Sequence, residues 1–165
     1  MDIINKRRSV RNFKDIDVER IIIEKLLRAG MQAPSAKNQQ PWVFLVIKDK
    51  IKLEKLSVVS NLFLKCNTAI FLLIDTENLP NPEMAPADMG ACTQNILLEC
   101  ASLNLGACWI GTAGRENRIN VFREVLNIPS RFEPFSTIVL GYPQNESDNH
   151  FVDRYNPNKV FYEVL

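Results

Sequence analysis

The chain has 165 residues, 46% of them hydrophobic, which is typical of one globular domain with a core of its own. Its 20 Lys and Arg balance 19 Asp and Glu, so the charge gives no reason to expect bulk attraction to nucleic acid or an anionic membrane. Residues 1–7 lack the apolar segment of a signal peptide, and the longest apolar run, 69–74, is too short to cross a bilayer. We therefore expect one cytoplasmic domain spanning residues 1–165.

The first forty residues are predicted to be mainly helical. Residues 2–7 are expected to form one helical turn, followed by a basic stretch that leads into an amphipathic helix. Apolar residues recur there at helical spacing, which predicts a helix from its N-cap, Asp17, to about Ala33, where Pro34 closes it. No strand is therefore expected before residue 40.

The rest of the chain alternates short apolar runs with helical patterns. The runs predict strands at 42–47, 68–74, 107–110 and 135–140. The helical patterns are at 51–60, 87–104 and 117–127. Gly106 is expected to end the second of these helices in a left-handed conformation. Because no strict βαβ rhythm is present, the pattern favours an α+β fold with a mixed β-sheet flanked by helices.

Two segments have more apolar surface than a small core can cover. The predicted helix 87–104 is apolar or small in almost every direction, so most of its sides must be buried. The tail 156–165 is also rich in apolar residues, which must dock on this subunit or on a partner. Both observations favour a subunit interface.

The basic stretch and the loop that follows the first long helix carry the candidate chemistry. Arg7, Ser9 and Arg11 alternate, so an extended backbone would send them to one side, where guanidinium groups and a hydroxyl suit phosphate oxygens. A solvated basic arm is the alternative interpretation. Residues 34–40 are small or carry amides, which lets a loop backbone approach a ligand closely. The proline-rich stretch 77–86 is a candidate flexible cover.

The four cysteines are expected to be small, buried and reduced, with a redox thiol pair as the minor alternative. The chain has no Cys-x-x-Cys and one histidine, so no metal site is expected. It also has neither a Gly-x-Gly-x-x-Gly fingerprint nor a Walker loop, which excludes the two common nucleotide cradles.

Four stretches, taken in order, resemble the FMN-dependent nitroreductase family over nearly the whole chain. They are Arg7-Arg8-Ser9-Val10-Arg11, Ala33-Pro34-Ser35-Ala36-Lys37-Asn38-Gln39-Gln40-Pro41-Trp42, Gly106-Ala107-Cys108-Trp109-Ile110-Gly111 and Val139-Leu140-Gly141-Tyr142-Pro143. The resemblance implies a nitroreductase-like fold, an intertwined homodimer with shared FMN sites, and NADH or NADPH as electron donor. It also implies ping-pong hydride transfer through FMN to nitroaromatic, quinone or similar flat small-molecule acceptors.

The resemblance assigns roles to these stretches. The basic stretch is expected at the FMN phosphate, the ribityl chain and the N1–C2 edge, and the loop at the flavin ring of the other subunit. The backbone at the end of the third motif is expected near N5, and a basic tail residue at the phosphate. No catalytic side chain is implied, because the flavin itself performs hydride transfer. The expected contacts are Arg7, Arg8, Ser9, Arg11, Pro34, Ser35, Ala36, Asn38, Gln40, Ile110, Gly111 and Lys159, with Arg154 as the alternative to Lys159.

The chain departs from the family in being short. Only residues 77–86 and 144–155 are left to wall a substrate pocket, so the acceptor stays open. Alternatives within the fold are reductive dehalogenation and flavin fragmentation, and a flavin-binding or buffering protein without turnover is another. A nucleic-acid-binding basic arm is disfavoured, since the charge is balanced and few aromatic residues are interleaved.

Overall fold

Four strands form one antiparallel sheet in a computed structural model that describes residues 3–77 and 79–164. The strands are β1, Trp42–Ile47; β2, Thr68–Asp75; β3, Gly106–Gly111; and β4, Phe132–Gly141. Their order across the sheet is β1-β2-β4-β3, and each neighbouring pair runs antiparallel. β2 is buried along almost its whole length, which explains why its sequence is continuously apolar.

Within the described residues, five α-helices cover the two faces of this sheet. They are α1, Ile3–Lys6; α2, Arg20–Met31; α3, Lys50–Leu56; α4, Ala85–Ser102; and α5, Glu116–Leu126. α2 and α4 pack on the face that carries Ile70 and Leu72. α3 and α5 pack on the opposite face, which carries Phe71 and Leu73. Because successive side chains of a strand point to opposite faces, β2 contributes to both cores.

The predicted α+β class, with a sheet flanked by helices, is confirmed. The sheet was expected to be mixed, but its four strands all pair antiparallel. In the described part of the chain, the one parallel pairing is an isolated bridge between Ser9 and Ala107. This bridge lies at the edge strand β3, so the N-terminal segment covers that edge. None of the described helices is long and apolar enough to cross a membrane.

The strand predictions are accurate within three residues. β1 has the predicted bounds, β2 is one residue longer, and β3 gains one residue at each end. β4 begins three residues earlier than predicted, at Phe132, and includes Pro134. Pro134 is tolerated there because the pairing of β2 with β4 shifts register between Leu72 and Leu73.

α2 is shorter than the helix predicted from Asp17 to Ala33. It begins at Arg20, with Glu19 in the N-cap position and no side-chain cap. Asp17 is therefore not the N-cap, and its carboxylate instead lies 3.4 Å from the Lys48 ammonium group. Of the apolar residues whose helical spacing predicted this helix, Leu26 is buried as expected, but Ile21 is 62% exposed. Ile23, which was not part of the predicted face, is buried in its place, so the predicted face is only partly correct.

The ends of α4 differ from the prediction for physical reasons. It starts two residues earlier, because Pro86 is well tolerated in a first helical turn. After its last turn, the left-handed residue is Asn104, with φ of 58°. The prediction that Gly106 ends this helix is therefore wrong. Gly106 begins β3, and a side chain there would start 2.6 Å from Cγ1 of Val10.

The two helices on the other face also shift slightly. α3 ends at Leu56, four residues before its predicted end, and Asn61–Leu64 forms a separate 3-10 helix. α5 begins one residue early and ends at Leu126, where Asn127 takes the left-handed conformation with φ of 52°. Part of the predicted loop 77–86 is the short 3-10 helix Pro82–Met84.

Candidate functional site

The basic stretch is an extended arm that lies along the edge of β3. The Val10 N–H donates to the Ala107 carbonyl at 3.0 Å, and Ser9 forms the parallel bridge with the same residue. Val10 is buried, whereas Ser9 and Arg11 on either side of it are exposed. This alternation agrees with the extended backbone expected for the arm and leaves Ser9 and Arg11 accessible.

Arg8 is held by its backbone and carries a guanidinium that is only partly paired. Its N–H donates to Asn149 Oδ1 at 3.0 Å, and Asn149 in turn donates to the Leu105 carbonyl at 3.1 Å. One guanidinium nitrogen, Nη1, donates to the Arg7 carbonyl, whereas Nε and Nη2 are buried and have no hydrogen-bond partner among the residues that the structure describes. Since arginine stays charged, burying these donors unpaired is costly. They are available to an anion.

Several further positive charges gather at the start of β3. Burial lowers the pKa of Arg7, and the neighbouring charges of Arg8 and Arg154 lower it further. Burial raises the pKa of the Cys108 thiol, while the charges of Arg11 and Arg7 act in the opposite direction. The arm and the tail thus bring like charges together, an arrangement that a bound anion would stabilise.

Arg154 and Lys159 are the two basic residues near the C-terminus that were expected at the phosphate. The charge of Arg154 is close enough to lower the pKa of Arg7. Lys159 lies in the exposed turn Pro157–Lys159, five residues further along the chain. Within one chain the geometry therefore favours Arg154 over Lys159, and the assignment of Lys159 stays a prediction.

The loop 34–40 has an unusual backbone. Lys37, Asn38 and Gln40 have φ angles of 47°, 57° and 46°, in the left-handed region that side chains disfavour. Each such residue costs about 1–2 kcal/mol. Inside the loop, Ser35 Oγ accepts from the Gln40 N–H at 3.0 Å, and the Gln40 amide donates to Asn38 Oδ1 at 2.8 Å. Asn38 and Gln40, both predicted cofactor contacts, are thus bonded to each other.

A buried carboxylate, Asp88 in the first turn of α4, fastens this loop. Asp88 is 5% exposed, and its Oδ1 accepts from the Ala36 N–H at 3.0 Å. Its Oδ2 accepts from Gln39 Nε2 at 2.6 Å. Neither Asp88 nor Gln39 was predicted from the sequence. The available signal was an acidic residue in the first turn of α4, whose other residues are apolar, because a buried charge requires partners.

The end of β3 offers open backbone. Ile110 packs into the core on the α3 and α5 face, and Gly111 is exposed. Apart from Gly111 itself and its two chain neighbours, no described residue has an atom within 4 Å of the point where a side chain at Gly111 would begin. The Gly111 carbonyl accepts from Arg118 Nη1 at 2.6 Å. A flat group could therefore approach the backbone at Gly111 without meeting a side chain of that residue.

The arm and the loop lie near opposite ends of α4. Asp88 holds the loop at the N-terminal end. At the other end, the Lys6 ammonium donates to Asn104 Oδ1 at 2.9 Å, and the arm continues from there along β3. Asp88 and Ser102 are fourteen residues apart in the helix, which corresponds to about 21 Å. The structure therefore does not bring the two predicted groups of site residues together within one chain.

One cavity lies away from the arm and the loop. This cavity, of about 670 Å³, is lined by residues such as Lys14, Leu53 and Asn67, and by none of the predicted site residues. Two polar groups at its wall are already paired, since Lys65 donates to Asn12 at 3.1 Å and Asn67 donates to Asp15 at 2.8 Å. This cavity gives no independent sign of a ligand.

Thiol and metal chemistry have little support. All four cysteines are free and buried, as expected for small apolar residues. Burial raises the pKa of Cys66 and of Cys92 to about 12, so these thiols stay protonated near neutral pH. Among the described residues, no three His, Cys, Asp or Glu side chains are grouped as a metal ion would require.

The segment from α1 to the end of β4 matches a known family. A model described as the nitroreductase family matches residues 4–68 and 60–142. The chain belongs to the nitroreductase family. The four motifs of this nitroreductase all begin inside the matched region, so the predicted family is confirmed.

Individual relatives match the nitroreductase chain over its full length. A protein of Archaeoglobus fulgidus, provisionally named NADH dehydrogenase/NAD(P)H nitroreductase, is 38% identical over 168 residues, covering 99% of this chain and 97% of that protein. A crystal structure from Clostridium acetobutylicum, provisionally named NADH oxidase, has a TM-score of 0.95 at 47% identity and covers 99% of this chain and 100% of that one. An FMN-dependent nitroreductase from Clostridium difficile R20291 has a TM-score of 0.89 at 28% identity, with coverages of 99% and 98%.

Proposed function

We propose that this nitroreductase is an FMN-dependent NAD(P)H oxidoreductase that works as a homodimer with FMN between the subunits. The names of its relatives, which include NAD(P)H nitroreductase and FMN-dependent nitroreductase, support the reaction class and the cofactor. NADH or NADPH is the donor in a ping-pong exchange, and nitroaromatics, quinones or similar flat electrophiles are the acceptors. When bound, FMN supplies the hydride chemistry, and the protein binds and orients the reactants.

The observation that carries the proposal is the guanidinium of Arg8, whose buried Nε and Nη2 have no hydrogen-bond partner within the described part of the chain. Its free Nε and Nη2 donors suit two oxygens of a phosphate group, which arginine binds through charge-assisted hydrogen bonds. A phosphate would also offset the repulsion that Arg8 and Arg154 impose on Arg7. The residues present at the arm therefore fit the phosphate end of FMN.

The ring end is assigned to groups that the chain leaves accessible. Arg11 is exposed beside Ser9, and its charge at the N1–C2 edge stabilises the negative charge that the ring gains on reduction. The open backbone of Ile110 and Gly111 is assigned to the N5 edge. The loop contacts, Pro34, Ser35, Ala36, Asn38 and Gln40, are assigned to the flavin of the partner subunit.

Two features support a dimer with shared sites. The arm and the loop are separated by the length of α4, so one flavin ring requires the loop of a second copy. The tail and the residues just before it, 151–164 together, also expose large apolar side chains, which a second copy could cover. These exposed residues are Phe151, Val152, Tyr155, Val160, Phe161, Tyr162 and Val164.

The first test is the absorption spectrum of the purified protein. We expect flavin bands, the release of FMN on denaturation, and bleaching when NADH or NADPH is added without oxygen, followed by recovery of colour with a quinone or nitroaromatic. A protein that binds FMN but is not bleached by either nucleotide would be a flavin carrier. A protein that neither retains nor takes up FMN would refute the proposal.

A mixed dimer tests the shared site. One subunit carries Arg11→Glu, the other carries Ser35→Trp, and two affinity tags isolate the heterodimer. If each site takes Arg11 from one chain and Ser35 from the other, one site has both lesions and the second is wild type. About half of the wild-type flavin should then bind, although each homodimer binds little. A heterodimer that binds almost none would show that both residues serve the same chain's flavin.

A further inference from the structure

The side chain of Gln39 joins two segments that are distant in sequence. Its Oε1 accepts from the Asn81 N–H at 3.0 Å, and its Nε2 donates to the Asn81 carbonyl at 3.0 Å. Asn81 lies in residues 79–84, the segment that leads into α4. The Gln39 amide therefore pairs with both backbone groups of Asn81, as a neighbouring strand would.

The same amide is also bonded to α4 through Asp88. Gln39 Nε2 donates to Asp88 Oδ2 at 2.6 Å, and Oδ1 of that carboxylate accepts from the Ala36 N–H at 3.0 Å. One buried carboxylate thus holds the loop at two points, and Gln39 extends the connection to Asn81. The three left-handed residues of the loop persist only where the surrounding structure holds them.

We propose that Asp88 and Gln39 are positioning residues that couple the flavin-binding loop to the segment 79–84, so that the two segments keep one relative position. This inference rests on the proposed function for its consequence, because the loop is assigned to the partner's flavin ring. The segment 79–84 belongs to the stretch left to wall the acceptor site in this short chain. Neither Asp88 nor Gln39 is assigned a contact with FMN.

The donor and acceptor pattern predicts how the coupling breaks. In Asp88→Asn, an amide can replace the carboxylate in shape, and its oxygen can still accept from the Ala36 N–H. Its NH₂ group then faces the NH₂ group of Gln39, so Gln39 must turn over or move away. Either change removes Gln39 Oε1 as the acceptor of the Asn81 N–H. Asn81 would thus respond to a substitution at Asp88, with which its own N–H makes no hydrogen bond.

Amide hydrogen exchange in the FMN-free protein measures this coupling directly. Asp88→Asn should accelerate exchange at the Asn81 N–H by roughly tenfold or more, as the loss of one hydrogen bond implies. Gln39→Met is the reciprocal variant, and it should accelerate exchange at the Ala36 N–H, whose acceptor on Asp88 is unchanged. The control is Asp49→Asn, which alters a carboxylate that caps α3 on the other face and should leave both amides unchanged.

Exchange that rises only at the group bonded directly to the altered side chain would overturn the coupling. Asp88→Asn is measured at the Asn81 N–H and Gln39→Met at the Ala36 N–H. If one variant fails to fold, the other therefore still tests the coupling by itself. These measurements need no cofactor, so they stand apart from the test of the proposed function.

If the wild type binds FMN, we expect Asp88→Asn to bind it roughly tenfold or more weakly and to alter the visible circular dichroism of the flavin. Unchanged affinity and dichroism would refute the role at the flavin.

Rescue separates positioning from a general loss of stability. In the double variant Asp88→Asn, Gln39→Glu, one oxygen of the new carboxylate can accept from the Asn81 N–H and the other from the side-chain amide introduced at position 88. The second oxygen replaces the donor to the Asn81 carbonyl, so this one hydrogen bond is not restored. Slow exchange at Asn81 should return in part, whereas Gln39→Glu alone places two carboxylates together and should disrupt the connection. A double variant in which exchange at Asn81 is accelerated by the product of the two single-variant factors, as independent free-energy changes would give, would contradict the proposal.

Discussion

Gly106→Ala should destabilise the arm, because Gly106 is the point at which Val10 approaches β3 most closely. An added Cβ would lie 2.6 Å from Val10 Cγ1 and 2.7 Å from Val10 Cβ, well inside the ~3.5–4.0 Å at which carbon atoms attract. Val10 cannot move away freely, since its N–H is bonded to Ala107 and its side chain is buried. Overpacking of this kind costs about 1–3 kcal/mol.

Urea unfolding measures this cost, and FMN titration measures its effect on the site. Because the arm carries the arginines assigned to phosphate, Gly106→Ala should also weaken FMN binding. The control is Gly90→Ala in α4, where the added methyl meets nothing within 4 Å in the chain and should raise helix stability by about 0.5–1 kcal/mol. Adding Val10→Gly should reduce the cost of Gly106→Ala, since both of the closest atoms, Cγ1 and Cβ of Val10, are then absent. An equal cost in both backgrounds would refute the steric reasoning.

Three further predictions concern single groups. Arg11→Ala should weaken FMN binding by about 1.5–3 kcal/mol and lower the flavin midpoint potential, and normal values of both would remove Arg11 from the site. Alanine at Cys66, Cys92 or Cys100 should cost about 1–3 kcal/mol of stability but leave flavin bleaching by NAD(P)H intact, whereas a folded, FMN-loaded variant that is not bleached would restore a thiol mechanism. Hydrogen bonds from Arg131 lower the pKa of Asp75 below its ordinary 3.8, so its stabilising effect is present above that pH and is lost as pH falls through the folded-state pKa. Asp75→Asn should therefore lower the melting temperature at neutral pH, and the difference from wild type should vanish in acid.

The strands were predictable because each contains a nearly continuous apolar run, most completely in β2, which is buried almost throughout. β1 and β2 lie where apolar runs stop at charged or turn residues, and packing on both faces requires such runs. Helical periodicity likewise predicted that α2 is a helix with one side on the core, but it did not place every residue, because Ile23 is buried there and Ile21 is exposed. These features depend on composition and spacing, which are local properties of the sequence.

Gly106 was misread because glycine has two common uses. A glycine shortly after a helix suggests a left-handed terminator, and Asn104 takes that conformation instead. The need for glycine at this position arises from Val10, almost a hundred residues earlier. A close approach between distant segments leaves no periodic pattern, so the sequence alone favoured the local explanation.

The candidate loop was predictable as a region but not residue by residue. Small and amide residues indicated a polar loop, yet its amides have different tasks. Gln39 bonds to Asp88 and Asn81, whereas the Gln40 side chain bonds to Asn38 at the exposed surface. Which of two adjacent glutamines points inward depends on the left-handed backbone at Lys37, Asn38 and Gln40, and that conformation depends on contacts from α4.

In the proposed dimer, α4 sets the spacing of both sites. The helix is buried and fastened at each end, to the loop through Asp88 and to α1 through the Asn104 residue that follows it. A two-fold axis turns the loop of one copy toward the arm of the other, so each FMN would contact two chains. If FMN binds only to the dimer, it stabilises the dimer, because separating the subunits then also costs the free energy of FMN binding. Cofactor affinity and dimer stability are then linked, and a change at the arm, such as Gly106→Ala, should weaken both together.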